Sequence, residues 1–150
     1  MAAKSPLYDR FKTDQDKEES GVWTNFGGGD PDANPPVPDI KVRIRRLKSK
    51  ASIEARRELD KPHTNEIRRG ALSNDLLEDL LLKQLSRGVI ADWSGITDEN
   101  GTPLNYSPDN AYRILKDLPD FRDEIIAIAM AADAFKDDVD KTTEANLSNS

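Results

Sequence analysis

The sequence predicts an α+β domain, mostly α, in which an N-terminal two-stranded β-hairpin packs on a small helical domain of about four to five helices. Apolar residues alternate with period two over 21–26 and again over 40–47, which is the period of a half-buried strand. From residue 49 onward they recur at three- and four-residue steps, the period of an amphipathic helix. Between the two strand-like runs lies GGGDPDANPPVPD, whose three glycines and four prolines forbid a helix.

Each element follows from its residues. Residues 1–20 form an arm with little beyond Leu7, Tyr8 and Phe11 to bury. It is expected to dock by its two aromatics while the run DQDKEE stays solvated. In the first strand, Val22, Thr24 and Phe26 share one side and Trp23 and Asn25 the other. Residues 27–39 read as a flexible loop. The second strand, Ile40–Leu47, sets Ile40, Val42 and Ile44 inward and Lys41, Arg43 and Arg45 outward, giving a basic outer face. A two-stranded ribbon is marginal alone, so it leans on helices.

Ser49–Lys61 is a weakly buried helix with Ala51, Ala55 and Leu59 at four-residue steps, closed by Pro62. A short helical turn around Ile67 follows, released by Gly70. Asn74–Arg87 carries the strongest stripe (Leu76, Leu77, Leu80, Leu81, Gln84, Leu85), with Asp75 and Glu78 as a capping box and Gly88 as the C′ residue. Val89–Trp93 is a short apolar run. Asn100-Gly101 then suggests a type I′ turn. Ser107-Pro108 opens a helix with Ala111, Ile114 and Leu115 inward. Pro119 opens the last helix, with one stripe running from Phe121 to Phe135. Trp23 and Trp93 are both read as core anchors. The organisation is an arm (1–20), one domain (21–136) and a disordered acidic and polar tail (137–150).

Composition excludes several function classes. The chain lacks cysteine, which removes disulfides, thiolate metal sites and thiol nucleophiles, and His63 is its one histidine. No apolar run reaches the roughly 20 residues of a membrane span. A calcium loop at Asp98–Gly101 fails because Ile96 and Ser107 stand where acidic ligands are required. A phosphate cradle at Gly27–Gly29 fails because Asp30-Pro31-Asp32 follows it. His63 reads as a surface or capping residue, since no nucleophile accompanies it. The expectation is a protein that is not an enzyme and needs no cofactor and no metal.

Charge is distributed unevenly within the net −6. Residues 40–70 hold eleven Lys/Arg against four Asp/Glu, while residues 71–150 hold seven against sixteen. Arg43, Arg45, Arg56 and Arg57 are therefore the candidate partner-binding residues, as electrostatic docking groups. Nucleic acid is not the expected partner, because the chain is acidic overall and no aromatics interleave with the cations. Trp93, Gly95, Asp98 and Gly101 are assigned to holding a structural turn.

Two blocks of sequence together carry a resemblance. One is Phe11-Lys12-Thr13-Asp14, Gly21-Val22-Trp23 and the strand Ile40–Arg46. The other is Asp92-Trp93-Ser94-Gly95-Ile96-Thr97-Asp98-Glu99-Asn100-Gly101, then Ser107-Pro108-Asp109-Asn110 and Leu118-Pro119-Asp120. This ordered series resembles the tail assembly chaperones of tailed bacteriophages, although residues 27–39 are longer and richer in proline than that pattern. The resemblance implies a protein that coats the tape-measure protein and yields it to polymerising tail-tube protein in the host cytoplasm during virus assembly. Self-association fits the same picture. The alternative is a structural virion protein, such as a neck, tail-completion or capsid-associated component, which would stay in the virion.

Overall fold

The computed structural model describes residues 5–136. The tail expected over 137–150 lies outside the described residues.

The arm holds two short helices. Ser5 caps α1 (Pro6–Phe11), its hydroxyl accepting from the Tyr8 amide at 3.4 Å. Asp14 caps α2 (Gln15–Ser20), its carboxylate accepting from the amides of Asp16 and Lys17. The expected docking is reversed. Leu7, Tyr8 and Phe11 are 65%, 67% and 63% exposed, and the acidic run is what fastens the arm. Glu18 meets Arg46 at 3.4 Å, the Glu19 carboxylate accepts the Lys50 amide at 3.0 Å, and the Asp14 amide donates to the Phe135 carbonyl at 2.8 Å. The cause is electrostatic: a basic strand end and a helix N-terminus both attract carboxylates.

The sheet corrects the predicted fold class. It has three antiparallel strands in the order β1 (Val22–Gly27), β2 (Ile40–Ile44), β3 (Ile90–Ser94), so the strands are not an N-terminal two-stranded hairpin alone. β1 and β2 pair as Val22↔Ile44, Trp23↔Arg43 and Thr24↔Val42. β3 comes from the apolar run in the middle of the chain and makes β2 the central strand. A register shift between Arg43 and Ile44 pairs them with Asp92 and Ile90, leaving Ala91 unmatched. Ile90 and Trp93 are therefore both buried, and period-two alternation is lost from the sequence of β3. Trp23 lies on the outer face, 52% exposed, and is not a core anchor.

Ser49 caps α3 (Lys50–Asp60), and a 3₁₀ turn at Lys61–His63 leads to α4 (Thr64–Arg68). Ser73, rather than an Asp75–Glu78 box, caps α5 (Asn74–Gln84), accepting from the Leu76 amide at 3.2 Å. The helix then widens into a π-helical turn, Leu85–Val89, that contains Gly88, so Gly88 is not a left-handed C′ residue. Ser107 caps α6 (Pro108–Asp117), and Pro119 opens α7 (Pro119–Met130). The long final stripe breaks at Ala131, which is extended (φ −81°, ψ 129°), and a 3₁₀ turn at Ala132–Phe135 returns Phe135 to the interior. The inner sheet face (Val42, Ile44, Ile90, Trp93) packs on Leu82, Leu85, Val89, Leu115, Ile125 and Ala129. Phe26 meets Phe121 edge-on at 5.5 Å.

Candidate functional site

Beyond the contacts that fasten the arm, three places among the described residues are candidates for a site, and their chemistry separates them. The first is the turn after β3. Trp93 is buried, its Nε1 donates to the Leu104 carbonyl at 2.8 Å, and its ring meets Tyr106 edge-on at 5.4 Å. Tyr106 keeps its hydroxyl within 2.8 Å of the Ile90 carbonyl and 2.9 Å of the Ser86 carbonyl, and burial raises its pKa. A Cβ at Gly95 would lie 2.3 Å from the Asp39 carbonyl oxygen. The Asp98 carboxylate accepts from the amides of Asn100 at 2.9 Å and Thr102 at 3.0 Å. Asn100 does not take a positive φ and Gly101 does (+81°), so this is not a type I′ turn. It is a three-residue hairpin loop with a left-handed glycine, closed by Gly101 N–H to Asp98 C=O at 3.0 Å. These groups are spent on closing the loop and tying it to β3, the π-helical turn and Asp39.

The second place joins α5, α6 and α7. The Tyr112 hydroxyl donates to Asp79, Lys83 reaches the other Asp79 oxygen at 3.0 Å, and Arg122 meets Glu78 at 2.7 Å. The Tyr112 hydrogen bond, aided by Lys83, lowers the Asp79 pKa, and the Asp79 bond raises that of Tyr112. These groups satisfy one another. The cluster is a strap between helices and leaves no poised acid, base or nucleophile.

The third place is different. α3 and α4 flank an open groove of about 550 Å³, lined by Ile53, Arg56, Arg57, Lys61, Ile67 and Arg68 among others. Ile53 and Ile67 stay 45% and 40% exposed. Arg56 is held by Asp60 at 2.9 Å and by Gln84 at 3.3 Å, and Lys61 by Glu58 at 2.8 Å. Arg57 and Arg68 make no ion pair among the described residues. The groove therefore combines an apolar floor with uncompensated cations on its edge.

The four candidate docking arginines are thus divided. Arg56 and Arg57 line this groove. Arg43 sits apart, between Trp23 and Asp92 on the sheet. Arg45 is occupied internally, its Nε donating to the Glu19 carbonyl at 2.9 Å and its Nη1 to the Gly88 carbonyl at 3.4 Å. Ile53 and Arg68 complete the groove and were missed. The available signal was an apolar residue lying off its helix's stripe beside arginines. Among the described residues no group of three or more His, Cys, Asp and Glu side chains is placed to hold a metal ion, and no helix is long and apolar enough to cross a membrane.

A family model described as YdaY prophage protein matches residues 47–146, a span that includes α3 to α7 and the whole groove. No curated protein and no solved structure gives a significant match.

Proposed function

The chain belongs to the YdaY prophage protein family and is phage-derived, and from that premise we propose that it works as a tail assembly chaperone. The observation that carries this reading is the groove between α3 and α4, where exposed Ile53 and Ile67 lie beside unpaired Arg57 and Arg68. A client helix with one apolar stripe bordered by carboxylates suits such a groove by helix-in-groove contact. The tape-measure protein is the proposed client and the tail-tube protein its successor on that client. The chain's part is to bind and release, with no chemical step.

The test is co-expression of the chain with the tape-measure protein of the same prophage, followed by mass spectrometry of purified particles. The expected result is a soluble complex of the two proteins and absence of the chain from finished particles. No complex, or a stoichiometric presence in particles, overturns the reading. The second result would identify a structural virion protein instead.

A further inference from the structure

The arm is held to the domain without apolar burial of its own. Residues 12–20, KTDQDKEES, contain no large apolar side chain, and α2 buries none of its residues. α1 ahead of it leaves Leu7, Tyr8 and Phe11 about two-thirds exposed. Polar contacts do the fastening: the Asp14 amide donates to the Phe135 carbonyl, the Arg46 amide to the Glu18 carbonyl at 3.1 Å, and Arg45 Nε to the Glu19 carbonyl. The Glu18 carboxylate meets Arg46 Nη1, and the Glu19 carboxylate accepts the Lys50 amide in the first turn of α3. Beneath α2 lies Arg46, 8% exposed, its guanidinium 5.8 Å from the Phe135 ring centroid. Its Nε is buried and has no hydrogen-bond partner among the described residues. A buried donor without a partner costs free energy that access to water or to a better-placed acceptor returns. The arm thus sits on a strained cation and gives up almost no apolar burial by leaving it.

We propose that α2 is a displaceable stand-in for an acidic segment of a partner protein. The arm opens as a unit about Gly21, the glycine of positive φ (+91°) that joins α2 to β1, while the domain stays folded. The site it leaves, Arg46 and the first turn of α3, then accepts the partner's carboxylates. The occupant already seated there identifies the chemistry, because Glu18 and Glu19 show that two adjacent carboxylates fit the buried cation and the helix N-terminus together. Lys48 and Lys50 stand beside the site, make no ion pair among the described residues and add to its positive field. A tethered arm competes at an effective concentration on the order of millimolar, so a partner displaces it by presenting several carboxylates at once. This inference is independent of the chaperone reading and concerns a different surface from the α3–α4 groove.

Native-state hydrogen exchange of the full 150-residue chain tests it. The Asp14, Arg46 and Lys50 amides, whose hydrogen bonds the closed arm makes, should exchange together through an opening that the core amides do not share. The Leu47 amide is the sharpest contrast, since it donates to the Ala129 carbonyl at 2.9 Å and owes nothing to the arm. Glu18→Gln with Glu19→Gln should speed exchange at the three arm-dependent amides about tenfold or more and leave Leu47 unchanged. Polyglutamate at matched ionic strength should speed the Asp14 amide of the unaltered chain, because a ligand that binds only the open form raises its population. Arg57→Glu should not blunt that response, which keeps this site distinct from the groove. Exchange of these amides only on global unfolding, equal acceleration at Leu47, or indifference to polyglutamate overturns the proposal. So does a response to a single-stranded oligonucleotide of equal charge in place of polyglutamate, which would make the site one for phosphates.

Discussion

Ser52 lies directly against Gly88: a Cβ added at position 88 would fall 2.7 Å from the Ser52 Cα and 2.9 Å from the Ala51 carbonyl oxygen. Gln84 reinforces the approach, its Nε2 donating to the Ser52 hydroxyl at 3.0 Å. The glycine is required for proximity between α3 and the π-helical turn. Gly88→Ala forces those two backbones apart and is expected to destabilise the fold by about 1–3 kcal/mol, the range for overpacking. Urea unfolding of the two proteins checks it, and equal midpoints would contradict the close approach.

Tyr112 and Asp79 give stability a pH profile with two edges. The folded-state pKa of Asp79 lies below its ordinary 3.8, so its contribution is present above that value and is lost as pH falls through the lowered one. The folded-state pKa of Tyr112 lies above 10.0, so its contribution is present below about 10 and is lost as pH rises through the raised one. Tyr112→Phe should remove its own share of the alkaline edge and leave the share of buried Tyr106, shrink the acid edge to the share Lys83 maintains, and cost about 1 kcal/mol at neutral pH. Melting temperatures measured from acid to alkaline pH for both proteins decide the matter; parallel curves would exclude the linkage.

The arginines should separate by role. Arg45→Ala removes two hydrogen bonds to main-chain carbonyls and should lower stability by about 1–2 kcal/mol. Arg57→Glu with Arg68→Glu touches no internal partner and should change stability by less than about 0.5 kcal/mol. The same double variant should reduce capture of the tape-measure client at least tenfold, about 1.4 kcal/mol of binding free energy. Denaturation and pull-down of the same preparations read the two effects separately. Undiminished capture would remove the groove from client binding.

What the residues disclosed in advance depended on whether a local period survived packing. Val22, Thr24, Val42 and Ile44 kept strict alternation, so β1 and β2 were legible. β3 was not, because the shift at Arg43/Ile44 leaves Ala91 unpaired and turns both Ile90 and Trp93 inward. α6 was legible from Ser107-Pro108 alone. The stop at Ala131 carries no glycine or proline, so the stripe through Phe135 ran on unbroken in the sequence. The groove was half visible: Arg56 and Arg57 stand out as charges, but their relation to Ile67 and Arg68 depends on the turn at Lys61–His63 folding α4 back beside α3. The arm was misread because its helix-capping aspartate and its paired glutamates look, in sequence, like ordinary solvated charge.

The proline-rich segment between β1 and β2 is clasped at its base by reciprocal Asp30–Val37 main-chain hydrogen bonds, each 2.8 Å, and by the Gly29 amide on Asp39 at 3.0 Å. Whatever occupies positions 31–36 is thereby insulated from the sheet. That outcrop is the natural graft point of the molecule, where an epitope or a fluorescent tag spliced in should leave α1 and the α3–α4 groove undisturbed.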